Sequence, residues 1–211
     1  MKKILILITA VSLCGCGTGT QSSELITVDV QKNYPKKDLL LQDIADVRYI
    51  PLEISDDVVI NDAFLRMAGT DKEGNIVPYH KGNEGSVFVF DSNGRCVKRF
   101  NRKGGSGEEY VSIWSATYNS QTDELFVYDY SRSRIVVYDS DGVYKRAFEL
   151  PPRSMMLESL YTAGQDRIVC YDEWDIIPPP LTIRSALDGS VVTNVYMQYS
   201  ERLHEIHREY S

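Results

Sequence analysis

One short pattern recurs in the sequence at a spacing of 48 residues, and this repeat constrains the fold more than any other feature. "VFVFDSNG" occupies residues 87–94 and "IVVYDSDG" occupies residues 135–142. A more divergent copy, "LTIRSALDG" at 181–189, places its Asp-Gly pair 47 residues after the second. Each copy joins β-branched and aromatic residues to Asn-Gly or Asp-Gly, dipeptides that supply the positive φ angles of a tight hairpin turn. The pattern therefore predicts three β-hairpins that turn at these pairs.

Two further strand-like segments precede each hairpin. Those directly upstream are "NIVPYH", "ELFVYDY" and "RIVCYDEW", and before them come "AFLRMAG", "VSIWSATYN" and "SLYTAG". Each unit is thus four short strands with a period in the forties, which is typical of β-propeller blades. A β-sandwich with accidental internal similarity is the alternative. The sequence predicts an all-β fold, a partial β-propeller of about three four-stranded antiparallel blades.

Parts of the repeat resemble known propeller families. "GGSGEEY", "ELFVYD" and "SRIVVYDSDG" are similar to an NHL-type propeller repeat. "LLQDIADVRYIPLEISDDVVI", ending at residue 60, resembles the entry segment of the six-bladed β-propeller lipoproteins of Bacteroidota-type bacteria. The glycine-rich loop at 104–110 departs from that family's G-x-G-P-G-E-Y pattern, because Gly107 takes the proline position. The resemblance implies an NHL-like six-bladed propeller, incomplete here, and implies little chemistry.

Only three units can be counted, whereas the family pattern implies six. We expect either a truncated gene product or fragment, or two three-bladed arcs that join into one ring. An open arc would expose an apolar blade face at each end, and large apolar patches are unusual on soluble monomers. Self-association through exposed blade faces is therefore expected.

The N-terminus has the pattern of a secretion signal. Lys2 and Lys3 precede the apolar run "ILILITAVSL", which is much shorter than the roughly 20 residues that span a bilayer. The following "LCGC" resembles the lipobox of bacterial lipoproteins, with Cys16 as the residue that receives the lipid. An ordinary secretory signal with two incidental cysteines is the alternative.

These features divide the chain into four segments: a signal peptide at 1–15, a flexible tether at 16–24, the partial propeller at 25–198 and a C-terminal tail at 199–211. The small, polar tether "GTGTQSSE" lacks a run of acidic residues directly after the cysteine. We therefore expect an outer-membrane lipoprotein of the cell envelope that faces the periplasm rather than the cell surface.

Composition narrows the choice of partners. The formal net charge of −7 gives no electrostatic basis for nucleic-acid binding. Cys96 and Cys170 stand in different kinds of strand in different units, so we expect free, buried thiols. A disulfide between them is the alternative, since an oxidising compartment permits one.

Candidate binding residues cluster in one predicted loop. Asp172, Glu173 and Asp175 surround Trp174 just before "IIPPP", and an acidic loop with an aromatic residue could bind a sugar or a cation. A solvated loop with a packed tryptophan is the alternative.

Other motifs give weaker signals. His204 and His207 could form a metal pair but lack a third ligand, so a solvated tail is the simpler interpretation and no metal site is predicted. The "GGSG" loop has no Walker Lys-Ser/Thr and precedes a strand, which favours a linker over a phosphate site. His80 and Lys81 follow a strand and receive no role.

Two classes of function remain. The first is a non-enzymatic, membrane-tethered module that binds a protein or a glycan, without a cofactor. The second is a metal-dependent propeller hydrolase or lyase with its site in the central channel. Three or more carboxylate, Asn or His groups around a common point on the inner strands would favour the enzyme. The sequence offers no catalytic residues, so it favours the binding module.

We predict that Cys16 carries the lipid. Labelling cells with a radioactive fatty acid should label the wild-type chain and Cys14→Ser, whereas Cys16→Ser should lose the label. Loss of the label in Cys14→Ser alone would contradict the assignment.

Overall fold

The computed structural model describes residues 29, 31–150, 157–172 and 181–195. The predicted signal peptide, Cys16, the tether, most of the 172–175 loop and the C-terminal tail lie outside these residues. The chain divides into two compact units, Met1–Val47 and Arg48–Ser211. In the first unit, a 3-10 turn at Leu41–Asp43 is capped by the Asp43 carboxylate, which accepts a hydrogen bond from the Leu40 amide at 3.2 Å.

The second unit contains three four-stranded antiparallel sheets, each built from consecutive strands. The first blade comprises β1 Leu65–Thr70, β2 Ile76–His80, β3 Ser86–Phe90 and β4 Cys96–Asn101. The second comprises β5 Ser115–Asn119, β6 Glu124–Asp129, β7 Arg134–Asp139 and β8 Tyr144–Glu149, with a 3-10 turn at Tyr130–Arg132. The third comprises β9 Leu157–Ala163, β10 Arg167–Asp172, β11 Leu181–Ser185 and β12 Val191–Val195. The predicted partial propeller of three blades is confirmed.

The first strands of neighbouring blades contact each other, β1 with β5 and β5 with β9. These strands therefore form the inside of the arc, and strand order runs outward from them. A tyrosine anchors the linker between the first two blades. Tyr110 is completely buried; its hydroxyl donates to the Gly85 carbonyl at 2.6 Å and accepts from the Arg102 amide at 2.9 Å. Burial raises the pKa of Tyr110 to about 12.

Both faces of the middle blade are buried because successive strand residues point to opposite sides of a sheet. In β6, Leu125 and Val127 pack towards the first blade, whereas Phe126 and Tyr128 pack towards the third. All four side chains are fully buried. The stacking of blades on each other's apolar faces forms the core.

The outer face of the first blade is covered by the segment 48–60, which we call the strap. Leu52, Val58 and Ile60 pack against Phe88 and Phe90, which are fully buried. The expectation of an open apolar face at each end is therefore wrong for the first blade. On the third blade, Val169 and Tyr171 occupy the repeat positions of Phe126 and Tyr128 but are only half-buried.

Both described cysteines are free, as predicted, but only Cys170 is buried, whereas Cys96 is half-buried. Cys170 is packed in the apolar cluster between the second and third blades, and burial raises the pKa of its thiol to about 12. Burial also raises the pKa of Cys96. Cys170 therefore behaves as a small hydrophobic side chain, whereas the Cys96 thiol donates to the Lys98 carbonyl at 3.4 Å.

Each predicted hairpin turn packs against the part of the chain that precedes its blade. The first turn contacts the strap, and the second and third turns contact the preceding blade. Gly94, Gly142 and Gly189 all have positive φ, between 72° and 81°. A methyl group on Gly142 would lie 2.6 Å from the Phe100 ring of the first blade, and one on Gly189 would lie 2.2 Å from the Phe148 ring of the second. On Gly94 it would lie 1.9 Å from the Pro51 carbonyl oxygen of the strap. Each turn needs glycine for its backbone conformation and for this close approach.

We predict that Gly142→Ala lowers the stability of the fold more than Gly74→Ala, which serves as the matched control. Gly74 has φ +81° but nothing within 4 Å of an added methyl, so its replacement should cost only the conformational penalty of about 1 kcal/mol. Gly142→Ala should cost about 1–3 kcal/mol more, because Phe100 must move. Urea unfolding measures both variants. Equal losses would show that the turn does not press on Phe100.

An ion cluster also ties the second blade to the third. The Arg146 guanidinium donates to both carboxylate oxygens of Glu124, at 2.7 and 2.8 Å, and to the Ala186 carbonyl at 2.8 Å. Lys145 approaches the same carboxylate at 2.5 Å. Burial of Glu124 opposes ionisation, but the hydrogen bonds and charges of Arg146 and Lys145 outweigh it and hold the Glu124 pKa at about 2. The carboxylate is thus ionised at all but strongly acid pH.

The depressed pKa of Glu124 predicts a loss of stability in acid. Its contribution is complete above about pH 4.5 and is lost as the pH falls towards 2. We expect a change of about 1–2 kcal/mol in unfolding free energy, because Lys145 and Arg146 are partly exposed and solvent screens their charges. Glu124→Gln should be less stable at pH 7 and should lack this acid-dependent loss. Glu149→Gln, at an exposed position on β8, is the control. If wild type and Glu124→Gln lose stability in parallel between pH 4.5 and 2, the cluster does not stabilise the fold.

Candidate functional site

The structure describes little of the acidic loop predicted from the sequence. Asp172 is the last residue of β10, where its backbone lies opposite Leu157. Glu173, Trp174 and Asp175 lie outside the described residues, as do His204 and His207. The proposed role of this loop therefore stays a prediction.

The glycine-rich loop is a linker, in agreement with the sequence. Arg132 donates to the carbonyl oxygens of Gly105 and Ser106, each at 2.8 Å, and Arg134 donates to that of Gly107 at 2.8 Å. The Tyr138 hydroxyl donates to the Glu108 carbonyl, also at 2.8 Å. The carbonyl oxygens of the loop thus accept hydrogen bonds from Arg132 and Arg134 of the second blade, and these bonds join the first two blades.

A different site forms where the inner strands of all three blades meet. Here a pocket of about 290 Å³ opens between β1, β5 and β9. We call it the axial pocket, and its charged, aromatic and hydroxyl-bearing lining residues are Arg66, Tyr79, Lys81, Trp114, Ser115, Ser159 and Tyr161. All three blades contribute side chains, so the pocket exists only when the blades are stacked.

Backbone hydrogen bonds fix Lys81 and Trp114 beside each other. The Lys81 amide donates to the Phe64 carbonyl at 2.8 Å, and the next residue, Gly82, forms an antiparallel bridge with Ile113. The Trp114 amide donates to the Tyr128 carbonyl at 3.0 Å. As a result, the Lys81 ammonium lies 4.1 Å from the centre of the Trp114 ring, a cation–π contact that orients the charge.

Arg66 and Tyr161 line the pocket from the two outer blades. The Arg66 guanidinium donates through Nη1 to the Leu65 and Ala63 carbonyl oxygens, at 2.8 and 3.2 Å. Tyr161 stands on β9 with 58% of its surface exposed. The pocket therefore has a second oriented cation and an aromatic ring that is open to solvent.

Two of the described residues that line the axial pocket, Arg66 and Lys81, are cations. A concave, partly aromatic site with two cations is suited to an anionic ligand.

A second cavity, of about 410 Å³, lies beside His80 and Glu84. His80 is buried; its Nε2 accepts from the Asn61 amide at 3.0 Å, and its Nδ1 donates to Glu84 at 2.6 Å. Burial disfavours the Glu84 carboxylate, but hydrogen bonds from Ser86 and then His80 lower the Glu84 pKa. Because both ring nitrogens are hydrogen-bonded, His80 supports the β2–β3 turn.

The described residues contain neither a cluster of metal ligands nor a helix that could span a membrane. Within residues 29, 31–150, 157–172 and 181–195, no three His, Cys, Asp or Glu side chains are grouped so that they could hold a metal ion. In the same part of the chain, no helix has the length and apolar character required to cross a membrane.

The sequence reasoning missed the axial pocket, although the repeat contains a signal for it. The second strand of every blade carries a tyrosine, and the first-strand residue opposite it lines the pocket. These cross-strand pairs are Arg66 with Tyr79, Ser115 with Tyr128, and Ser159 with Tyr171. An alignment of the three blades on these tyrosines would have shown that Arg66, Ser115 and Ser159 occupy equivalent positions.

Comparison with known proteins supports the fold. No curated protein matches the sequence. A crystal structure described as that of an exported protein from Bacteroides fragilis matches with a TM-score of 0.57 and 13% identity, covering 77% of this chain. The chain spans 45% of that protein's length.

Two other solved structures are less similar. A DUF4221 family member from Bacteroides vulgatus has a TM-score of 0.46 and 12% identity, with 59% of this chain and 41% of that protein covered. The WD40 repeats of RRP9 have a TM-score of 0.43 and 12% identity, with 64% and 42% covered. At the level of sequence, the profile of the domain of unknown function DUF4934 matches residues 25–207, and the chain therefore belongs to the DUF4934 family.

Proposed function

We propose that the chain is a non-enzymatic binding module of the cell envelope that captures an anionic ligand in the axial pocket. A lipid on Cys16 tethers it to the outer membrane on the periplasmic side, and the blades belong to an NHL-like six-bladed propeller. The observation that carries the proposal is the meeting of Arg66, Lys81 and three aromatic rings where the inner strands of all three blades converge.

The location is supported by two independent features. The N-terminal sequence has a basic start, a short apolar run and a lipobox-like "LCGC". In addition, the Bacteroides fragilis structure with a similar fold is described as an exported protein.

The geometry of the pocket favours binding over chemistry. Lys81 is held against Trp114 and Arg66 against its own backbone carbonyls, so both cations are oriented before a ligand arrives. Preorganised groups lose less conformational entropy on binding. Cations of this kind form charge-assisted hydrogen bonds with carboxylate, sulfate or phosphate oxygens.

The test measures binding of the purified full chain to two polyanions of different chemistry, dextran sulfate and poly-L-glutamate, with uncharged dextran as the control. At least one polyanion should bind, and its affinity should fall as salt rises because the interaction is electrostatic. Lys81→Gln and Arg66→Gln should each weaken binding about tenfold. Lys103→Gln, which removes an exposed lysine outside the pocket, should not change it.

Two outcomes would contradict the proposal. One is the absence of binding to either polyanion at low salt. The other is equal loss of binding in Lys81→Gln, Arg66→Gln and Lys103→Gln, which would mean that net charge rather than the pocket attracts the polyanion.

A further inference from the structure

We infer that the hydrogen bond between His80 and Asn61, which we call the latch, is a pH-sensitive contact that holds the end of the strap on the first blade. The latch is closed while His80 is neutral and opens when His80 is protonated. Asn61 directly follows the strap, and its amide lies 3.0 Å from Nε2 of His80. The inference concerns the strap and does not depend on ligand binding in the axial pocket.

The hydrogen bonds of His80 determine its protonation state in the closed latch. A backbone amide can only donate, so Nε2 of His80 must accept from Asn61 and carry no hydrogen. The ring hydrogen is therefore on Nδ1, which donates to the Glu84 carboxylate at 2.6 Å. A second hydrogen on Nε2 would point at the Asn61 N–H, and two donors cannot form a hydrogen bond. The closed latch thus requires the neutral ring.

The position of the latch connects it to the apolar face of the first blade. Asn61 continues from Ile60, which packs with the buried rings of Phe88 and Phe90. The His80 ring meets Phe88 edge-on, with the ring centres 5.2 Å apart, and only 3% of the His80 side chain is exposed. Water can therefore reach a protonated Nε2 only if the end of the strap moves away. Protonation of His80 loosens the strap there and uncovers part of this apolar face.

Charged side chains of both signs belong to the elements packed around His80. They are Asp57, Asp62, Lys81, Glu84 and Arg99. Lys81 and Arg99 oppose a further positive charge, whereas the three carboxylates favour one. Asp57 and Asp62 are exposed, so solvent screens their charges.

Glu84 is the carboxylate in contact with the ring, but it does not distinguish the closed latch from the open one. It follows His80 by four residues in the β2–β3 turn, and 47% of its side chain is exposed. Its attraction therefore acts on a protonated His80 whether the strap is in place or not. Burial and the Asn61 N–H act only in the closed state, and both favour the neutral ring. The closed state is thus fully populated above the range in which histidine titrates and is lost as the pH falls through that range.

The experiment records NMR spectra of the purified full chain at about pH 7.5 and about pH 5, on either side of the usual titration of histidine. The ring-nitrogen shifts of His80 report its tautomer, and hydrogen exchange of the Asn61 amide, corrected for the intrinsic rate, reports the latch. At the higher pH, Nε2 should carry no hydrogen. The protection factor of the Asn61 amide should then fall at least about tenfold at the lower pH. His80→Gln cannot be protonated and should lack this fall, whereas the control His204→Gln should behave as wild type.

Three outcomes would overturn the inference. The first, seen in wild type alone, is a hydrogen on Nε2 at the higher pH or an Asn61 protection factor that does not change. The second is an equal fall in His80→Gln, which would assign the effect to a carboxylate. The third is a simultaneous loss of protection in β6 of the middle blade, which would mean that acid unfolds the whole chain. The Glu124 cluster keeps its full contribution above about pH 4.5, so β6 should remain protected at both pH values.

Discussion

The structure depends on one repeated contact, in which the glycine of a hairpin turn packs against the preceding blade. Gly142 lies against Phe100 and Gly189 against Phe148, two phenylalanines 48 residues apart in equivalent strands. Any side chain at the glycine would hold the blades apart. This contact sets the spacing between blades, and the spacing lets the middle blade bury both of its faces completely.

Blade spacing in turn creates the axial pocket. Once the blades are stacked, their first strands meet, and the bridge between Gly82 and Ile113 aligns Lys81 with Trp114. No single blade contains the site. Function and stability are therefore linked, because a change that separates the blades also disperses the lining of the pocket.

The parts of the fold that could be predicted are those encoded locally. Turns at Asp-Gly pairs and strands with alternating apolar residues follow from a few neighbouring residues, and they gave the three blades and the free thiols correctly. The axial pocket could not be predicted in this way, because Arg66, Trp114 and Tyr161 are far apart in sequence and meet only through packing between blades. The strap was identified as an entry segment, but its covering of Phe88 and Phe90 was missed because that contact spans about 30 residues.

The strap also gives the array a direction of assembly. The Glu53 amide donates to the Gly94 carbonyl at 2.7 Å, and its carboxylate accepts from the Cys96 amide at 3.0 Å, so the strap holds the first hairpin as a preceding blade would. Each later hairpin is seated on a phenylalanine that has already been synthesised. The blades can therefore pack in order from the N-terminus, because the surface that receives each hairpin lies in the part of the chain that precedes it. The strap provides the first of these surfaces.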